Sequence, residues 1–545
     1  MPTVEFRKND MEKLVGKKLP EQELREAVLF AKGEVDEVQG DKIKVDIKDT
    51  NRPDLWSAEG IARELRYYYG KESGLKKYKA KKSGITAIVD PALKGIRPCG
   101  AYATARGINV DEEVILQIIQ LQEKICETFG RKRKEIAIGI FDLDKVKGNV
   151  KYYAASPKEE FVPLGYRAKM SLEEILVEHP KGREYGKLLE SFTKYPLLVD
   201  EEHSVLSMPP IINSEGSGKV TTQTKNLFID ITGMEQKKIN TALETVCMAL
   251  ADRGAEIGSV EVHYGKKRIV TPEFRSKKIS VPLALIERTL GEKMPAKKAL
   301  GLVRKKGMNA KLKGKKIEAE YAEWRTDILH PMDIVEDILI ALGYNSIEPE
   351  PVKLAVEGSE LKETKELAAM REICIGLGLQ GILTFTLTSR EKQESKMNLP
   401  EQDLVELENP VSMEWSVLRK AILPELLEFL EKNRHCAYPQ KIFEVGRTVK
   451  TDKSAETRVK EGNVVSIALT GKEFDFNAAR AHLDAIASAK GWKCELQRGE
   501  HPSFEKGRCA LVKCAHRTGI IGEVSKKVLE NFGLEMPVAA IEMEI

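Results

Sequence analysis

The chain has 545 residues, 42% hydrophobic and 32% charged, with 88 basic against 84 acidic side chains and a net charge of +4. That length exceeds what one core supports and predicts roughly three or four domains. The near balance of charge does not mark a general nucleic-acid binder. No window reaches the roughly 18 uninterrupted apolar residues of a membrane helix, and the N-terminal string MPTVEFRKND lacks the apolar core of a signal peptide. A soluble, cytoplasmic protein with no membrane association is expected. Cysteines at 99, 126, 247, 374, 436, 494, 509 and 514 show no paired spacing, which predicts reduced, mostly buried thiols.

Residues 1–85 form a first domain: a short strand at Val4, Glu5 and Phe6, a helix, strand-like alternation over 34–47, and a helix over 58–69. Ser57 is its expected N-cap and Gly70 its stop. The polar, basic stretch 72–83 reads as a linker. Residues 90–265 mix helices (114–129, 172–178, 241–253) with strands (136–141, 228–232, 259–264), an α+β pattern. A smaller helical, winged-helix-like unit follows over 268–350, with two helical stretches, a basic turn and a final helix over 332–342. After a polar connector at 356–364, residues 355–545 carry a helix over 365–376 and strands over 382–387, 441–445, 464–470 and 510–513. Antiparallel strands with helices on one face fit that pattern. The fold class is therefore α+β and multi-domain, with no convincing internal repeat. Three basic runs stand out: Lys76 to Lys82, Arg131 to Lys134, and Arg304 to Lys306 with Lys311 to Lys316. Each is able to meet phosphates, although a solvated face is the commoner use of such runs.

Some motifs fail on context. Gly376, Gly378 and Gly381 match a dinucleotide loop in spacing, but they follow a helix where that loop must follow a strand. Gly216-Ser217-Gly218-Lys219 lacks the first glycine and the hydroxyl of a phosphate loop. Cys509 and Cys514 lie five apart in a strand and point to opposite faces, so they do not converge on zinc with His516.

Asn51-Arg52-Pro53-Asp54-Leu55-Trp56-Ser57 reads as a tight turn feeding a capped helix. Trp324 to Asp337 runs Trp-Arg-Thr-Asp-Ile-Leu-His-Pro-Met-Asp-Ile-Val-Glu-Asp. Here Pro331 suits a first helical turn, and Asp333, Glu336 and Asp337 share one helix face with Asp327 just upstream. Such a cluster is either a solvated acidic face favoured by the helix dipole or a site for a hard cation such as Mg²⁺. Leu407-Glu408-Asn409-Pro410, Leu418-Arg419, Leu423-Pro424-Glu425 and Phe443-Glu444-Val445-Gly446 follow in order, then His501-Pro502, Gly507-Arg508 and Gly522-Glu523-Val524.

Together these strings resemble phenylalanyl-tRNA synthetase beta subunits of the archaeal and eukaryotic type, over essentially the whole chain. The resemblance implies an alpha-subunit partner in an alpha2beta2 heterotetramer, tRNA(Phe) as substrate, and a Mg²⁺ site at Asp327, Asp333, Glu336 and Asp337 shared with alpha. It implies that 355–545 is a class II synthetase-like core without chemistry, since Arg447 is alone where phosphate-clamping arginines are needed. ATP would then be bound by the complex, mainly on alpha. It also implies that 90–265 is an editing domain that hydrolyses tyrosine misattached to tRNA(Phe). A hydrophobic pocket rejects an added hydroxyl only weakly, so a second site that recognises that hydroxyl corrects the remainder. By similarity, Leu198 and Ser207 form the pocket wall, and Asp230 and Thr232, on one face of a strand, recognise substrate or water. The competing expectations are a non-enzymatic tRNA-binding or scaffold subunit and a self-sufficient aminoacylating enzyme.

Overall fold

A computed structural model describes residues 2–352 and 354–545. The chain divides into two units, 1–350 and 351–545.

The first unit opens with strand Thr3–Arg7, helices Lys8–Val15 and Glu21–Phe30, the hairpin Gly33–Gln39 and Lys42–Ile47, and helix Ala58–Tyr68. Val4, Phe6, Ile43, Val45 and Ile47 alternate into its core, as period-2 strands require. The Ser57 hydroxyl accepts the Gly60 amide at 3.1 Å, capping the last helix as expected. Gly60 is needed there because a Cβ would lie 1.8 Å from the Asp54 carbonyl oxygen.

Residues 276–342 repeat this plan. Strand Ser276–Pro282 is followed by helices Leu283–Leu290 and Ala296–Lys305, strands Asn309–Lys313 and Lys316–Ala322, and helix Pro331–Leu342. In both sheets the last strand of the copy lies in the middle. The expectation of no internal repeat is thus corrected: one β-α-α-β-β-α plan occurs twice. The repeat is nearly silent in sequence because a shared pattern of burial is met by different residues. Its clearest trace is Arg52, Asp54 and Glu64 against Arg325, Asp327 and Asp337. The basic turn expected in this unit is also corrected, since the third basic run carries the hairpin 309–322 rather than a bare turn.

Between the copies lies a ten-stranded sheet in which strand Asn226–Gly233 is flanked by Cys99–Arg106 and Ile136–Asp142. Leu227, Ile229 and Ile231 face helices Glu112–Glu127 and Gln236–Asp252. Phe228 faces the opposite layer with Tyr102, Phe141, Tyr152 and Leu198. The expected linker at 72–83 is not free chain. Lys76 pairs with Asp252 at 2.8 Å and the Tyr78 hydroxyl donates to the same carboxylate at 2.9 Å, and strand Lys81–Val89 has begun by its end.

The second unit starts its helix at Lys362, earlier than expected, and runs it to Gly376. Gly378 then takes φ +75°, the left-handed turn expected after a helix end. A seven-stranded, mostly antiparallel sheet follows, built on strands Gln440–Thr451, Val459–Thr470, Val538–Glu544, Arg517–Val524, Phe504–Cys514 and Cys494–Arg498. Helices cover both faces, not one. Val465, Ile467 and Leu469 join the core of Lys362–Gly376 and Phe476–Lys490, while Val464 and Ala468 join that of Leu423–Lys432 and Lys526–Asn531. The near-continuous apolar run at 464–469, interrupted by Ser466 alone, is the signal of such two-sided burial. The expected strand at 382–387 is absent apart from Leu387, which pairs with Leu418; Leu383 and Phe385 are 87% and 72% exposed.

Cys509 and Cys514 do point into opposite cores. Cys514, however, is bonded to Cys494 across neighbouring strands, which corrects the expectation that all eight thiols are reduced. Pairing depends on strand register, which spacing does not reveal. Denatured without reductant, the chain should titrate six free thiols; eight would contradict the pairing.

Candidate functional site

A cavity of about 180 Å³ opens beside strand Ile136–Asp142, lined among others by Ser207, Pro209, Pro210, Asn213, Gly139 and Arg133. Its size suits one amino-acid side chain. The larger cavity, about 470 Å³ along Gln236 to Glu244, contains none of the residues expected at the site.

Ser207 is 2% exposed and sits directly opposite Leu198 in the sheet. Its hydroxyl lies 3.5 Å from Asp230 Oδ2. The other carboxylate oxygen, Asp230 Oδ1, is buried without a hydrogen-bond partner, as are the nearby Tyr102 hydroxyl and Thr104 Oγ1. Burial pushes the Asp230 carboxyl up to about 7, against the pull of Arg97 and the Ser207 hydroxyl. Asp230 is paired across strands with Tyr102 on one side and Gly139 on the other. Residues opposite each other share a face, so Gly139 clears the space beside the carboxyl. A Cβ at Gly139 would meet the Phe141 ring at 2.7 Å and Asn213 Oδ1 at 3.3 Å.

Ser207 lines the cavity, and Asp230, in hydrogen-bond contact with it, lies buried one layer behind. Leu198 is fully buried behind them, in the apolar layer with Phe228 and Tyr152. Thr232, like Asp230 and Leu198, does not line the cavity itself. Its Oγ1 accepts from Arg97 Nε at 2.9 Å and its carbonyl from another Arg97 nitrogen at 2.7 Å, which makes it a seat for that guanidinium. Arg97 also donates to the carbonyls of Arg133 and Lys134 at 3.1 and 3.2 Å. Arg133 in turn donates to the carbonyls of Pro210 and Ile211 at 3.1 and 2.9 Å, fixing the opposite wall. Sequence reasoning missed Arg97, Gly139, Asn213 and the inward role of Arg133. A lone arginine 135 residues before its partner Thr232 carries no spacing signal, and Arg133 sat inside a run read as solvated.

The acidic residues Asp327, upstream of helix Pro331–Leu342, and Asp333, Glu336 and Asp337 on it take other roles. Asp327 receives two hydrogen bonds from Arg325, at 2.8 and 2.7 Å, and Arg325 also reaches Asp337 at 2.6 Å. Asp333 Oδ2 accepts the amides of Leu329 and His330 at 2.7 and 2.6 Å, capping the helix. Glu336 pairs with Lys32 at 2.9 Å. Among their buried oxygens in the described residues, Asp337 Oδ1 is left without a partner. Among the described residues no group of three or more His, Cys, Asp or Glu is disposed to hold a metal ion. The residues present thus do not fit a Mg²⁺ site within this chain, because arginine, lysine and backbone amides already answer their charge.

In the second unit, Arg419 is buried and tied to Glu444 at 2.8 Å. Arg447 pairs with Glu461 at 2.7 Å and Arg508 with Glu523 at 2.8 Å. No helix among the described residues is long and apolar enough to cross a membrane.

Comparison with known proteins gives three family matches. Residues 106–256 match the B3/4 domain, 279–344 the tRNA synthetase B5 domain, and 347–545 the phenylalanyl tRNA synthetase beta chain CLM domain. Phenylalanine–tRNA ligase beta subunits from Thermococcus kodakarensis and Pyrococcus horikoshii are 46% and 47% identical to the chain, covering all of it and 98% and 99% of their own lengths. That of Methanocella arvoryzae is 37% identical, covering 100% of this chain and 99% of its own. A crystal structure of an N-terminal fragment of the Pyrococcus horikoshii beta subunit superposes with TM-score 0.62 at 48% identity, over 63% of this chain and all of the fragment.

If Arg325 is what neutralises the acidic residues, Arg325→Met should cost about 3–5 kcal/mol, the usual penalty for stranding a buried charge. Chelating Mg²⁺ should leave the melting temperature of the chain unchanged; a drop would place a cation among these carboxylates. The pairings also hold the Glu64 carboxyl down at about 2 and Asp327 well below its ordinary range. A depressed carboxyl stabilises the fold above its unfolded value and loses that contribution as pH falls. Acid titration of stability should therefore steepen below about pH 4.5, and the step should shrink in Arg325→Met.

Proposed function

The chain belongs to the family of phenylalanine–tRNA ligase beta subunits, and on that premise we propose that residues 90–265 hydrolyse tyrosyl-tRNA(Phe) at the Ser207–Asp230 pocket. As a beta subunit it is part of an aminoacyl-tRNA synthetase that works with an alpha subunit and tRNA. The assembly we infer is an alpha2beta2 heterotetramer in the cytoplasm.

The observation that carries the editing reading is Asp230 Oδ1, a buried acceptor without a donor, directly behind Ser207, which lines a cavity of side-chain size. An unpaired buried oxygen costs about 1–3 kcal/mol. A tyrosine phenol that donates to it removes that cost, and a phenylalanine ring leaves it in place. Discrimination therefore favours the substrate with the hydroxyl, opposite to a purely hydrophobic pocket. Ser207 holds Asp230 Oδ2, and Arg97, seated on Thr232, fixes the pocket wall through the 133–134 carbonyls. Hydrolysis adds water at the ester carbonyl carbon, breaks its bond to the ribose oxygen and leaves the proton on that oxygen.

ATP and Mg²⁺ belong to the ligase reaction of the family. We place both with the alpha subunit. This is supported by Arg419, Arg447 and Arg508 each being paired with a glutamate, which leaves them poorly placed to clamp phosphates. The second unit then serves as a synthetase-like core without chemistry of its own.

In the complete alpha–beta enzyme, Asp230→Ala should spare formation of Phe-tRNA(Phe) while Tyr-tRNA(Phe) accumulates. Clearance at the wild-type rate would remove Asp230 from the mechanism. Because the carboxyl is pushed up to about 7, its ionised, stronger acceptor form grows as pH rises through that value, and selectivity for tyrosine over phenylalanine should rise with it. Folding runs the other way. A raised carboxyl favours the fold at low pH and loses that contribution as pH climbs through about 7. Asp230→Asn should therefore flatten the selectivity profile and gain stability relative to wild type only toward higher pH.

A further inference from the structure

The turn at 131–134 is unusual in its backbone. Arg131, Lys132 and Arg133 have φ of 49°, 53° and 64°, three consecutive left-handed residues that all bear a Cβ, a conformation such residues seldom adopt even singly. It is held from below by Arg97 through the carbonyls of Arg133 and Lys134, and from the side by Arg133 through those of Pro210 and Ile211. The arrangement turns Arg133 inward and leaves Arg131, Lys132 and Lys134 exposed, with no salt bridge to any of them among the described residues. Strain maintained on this scale marks positions where the surroundings over-determine the backbone, commonly at ligand clamps.

The rim continues from that turn around the pocket. The Arg133 guanidinium lies 4.3 Å from the Tyr185 ring centre and the Lys181 ammonium 5.4 Å. The Lys181 amide donates to His179 Nδ1 at 3.1 Å. The His179 ring packs 4.9 Å from that of Tyr166, which is 37% exposed. Leu164, two residues before Tyr166, lines the pocket with Arg133 and Lys181. Exposed cations on the turn and the exposed Tyr166 ring, backed by the buried His179, thus belong to the surroundings of the opening. Recognition of single-stranded nucleic acid uses this combination, with cations tracking phosphates and rings stacking on bases.

We propose that this rim is the docking surface for the unpaired 3′ strand of an aminoacylated tRNA. Arg131, Lys132 and Lys134 take its phosphates and the Tyr166 ring, supported from beneath by His179, stacks its terminal base, so that the ester is delivered to the pocket. The inference rests on the editing reading of that pocket, and it names residues that act by positioning. It also accounts for a strongly basic turn on a chain whose overall charge is nearly balanced.

The test uses the complete alpha–beta enzyme with the triple variant R131Q/K132Q/K134Q and with Tyr166→Ala and Tyr166→Phe. Two substrates are compared, Tyr-tRNA(Phe) and 2′(3′)-O-tyrosyl-adenosine, which has the terminal base and ester but no strand phosphates. The triple variant should raise KM for Tyr-tRNA(Phe) about tenfold or more. It should also flatten the salt dependence by about two units of log–log slope, from roughly 0.7 per phosphate contact on single strands. Its kcat and its rate on tyrosyl-adenosine should be unchanged. Tyr166→Ala should weaken use of both substrates by about fivefold or more, the scale of one lost base–aromatic stack, and Tyr166→Phe should restore it. A second readout is independent of hydrolysis: binding of a short RNA ending in CCA, which the triple variant should weaken. Unaltered KM, salt slope and RNA binding in the triple variant would overturn the rim while leaving the editing pocket standing. Weakened RNA binding in an enzyme that hydrolyses neither substrate would support the rim and overturn the pocket.

Discussion

Charge removed from water must be answered locally, and the junction between the two β-α-α-β-β-α copies is built on that requirement. Arg52 donates to Asp54 and Glu64, and Arg325 in the same way to Asp327 and Asp337. Each copy also sends a lysine, placed after its second helix and before a glycine, into the other. Lys306 reaches Glu64 at 2.8 Å and Lys32 reaches Glu336 at 2.9 Å. Arg52, Lys306 and Arg325 are at most 6% exposed. Such pairs add little net stability compared with apolar packing of equal volume, but breaking one partner is costly. Their effect is to allow one arrangement of the copies and to penalise others. The contact is thus specified by geometry and charge more than by area.

That junction sets the position of the sheet between the copies. Asp252, at the end of the long helix under the sheet, is held by Arg63 at 2.9 Å and Lys76 at 2.8 Å. Arg253 pairs with Asp10 at 2.8 Å and also with Glu59. The helix carrying these residues packs on Leu227, Ile229 and Ile231, so the first copy is fastened to the strand whose other face bears Asp230 and Thr232. Arg97 repeats the principle on a smaller scale. One buried guanidinium, spent on four backbone and side-chain oxygens, joins Thr232 to the basic turn and through it to the pocket wall.

Much of this was legible in the sequence. The Ser57 cap, the strands at 136–141 and 228–232 and the failure of the glycine motif at 376–381 follow from local chemistry. So does the divergence of Cys509 and Cys514. Ser207 and Asp230 came from resemblance, and the fold places their oxygens 3.5 Å apart. What was not legible depended on partners distant in the chain. The acidic face at 327–337 was a sound inference about clustered carboxylates, but its cations sit partly at position 32, about three hundred residues away. Thr232 looked like a substrate contact until Arg97 occupied it. The repeated unit was hidden because equivalent positions conserve burial and charge sign rather than identity, as with Glu64 and Asp337. The Cys494–Cys514 bond required a strand register that no spacing rule supplies.

The central claim is that Asp230 Oδ1 waits for a phenol. The most direct measurement is a structure of the alpha–beta enzyme with 3′-deoxy-3′-tyrosylamino-adenosine, whose amide resists hydrolysis, bound to the beta chain. The account predicts the tyrosine hydroxyl within hydrogen-bond distance of Asp230 Oδ1, its ring over Gly139 and Ser207 still against Oδ2. A phenol directed elsewhere, with Oδ1 still unpartnered in the occupied pocket, would contradict it.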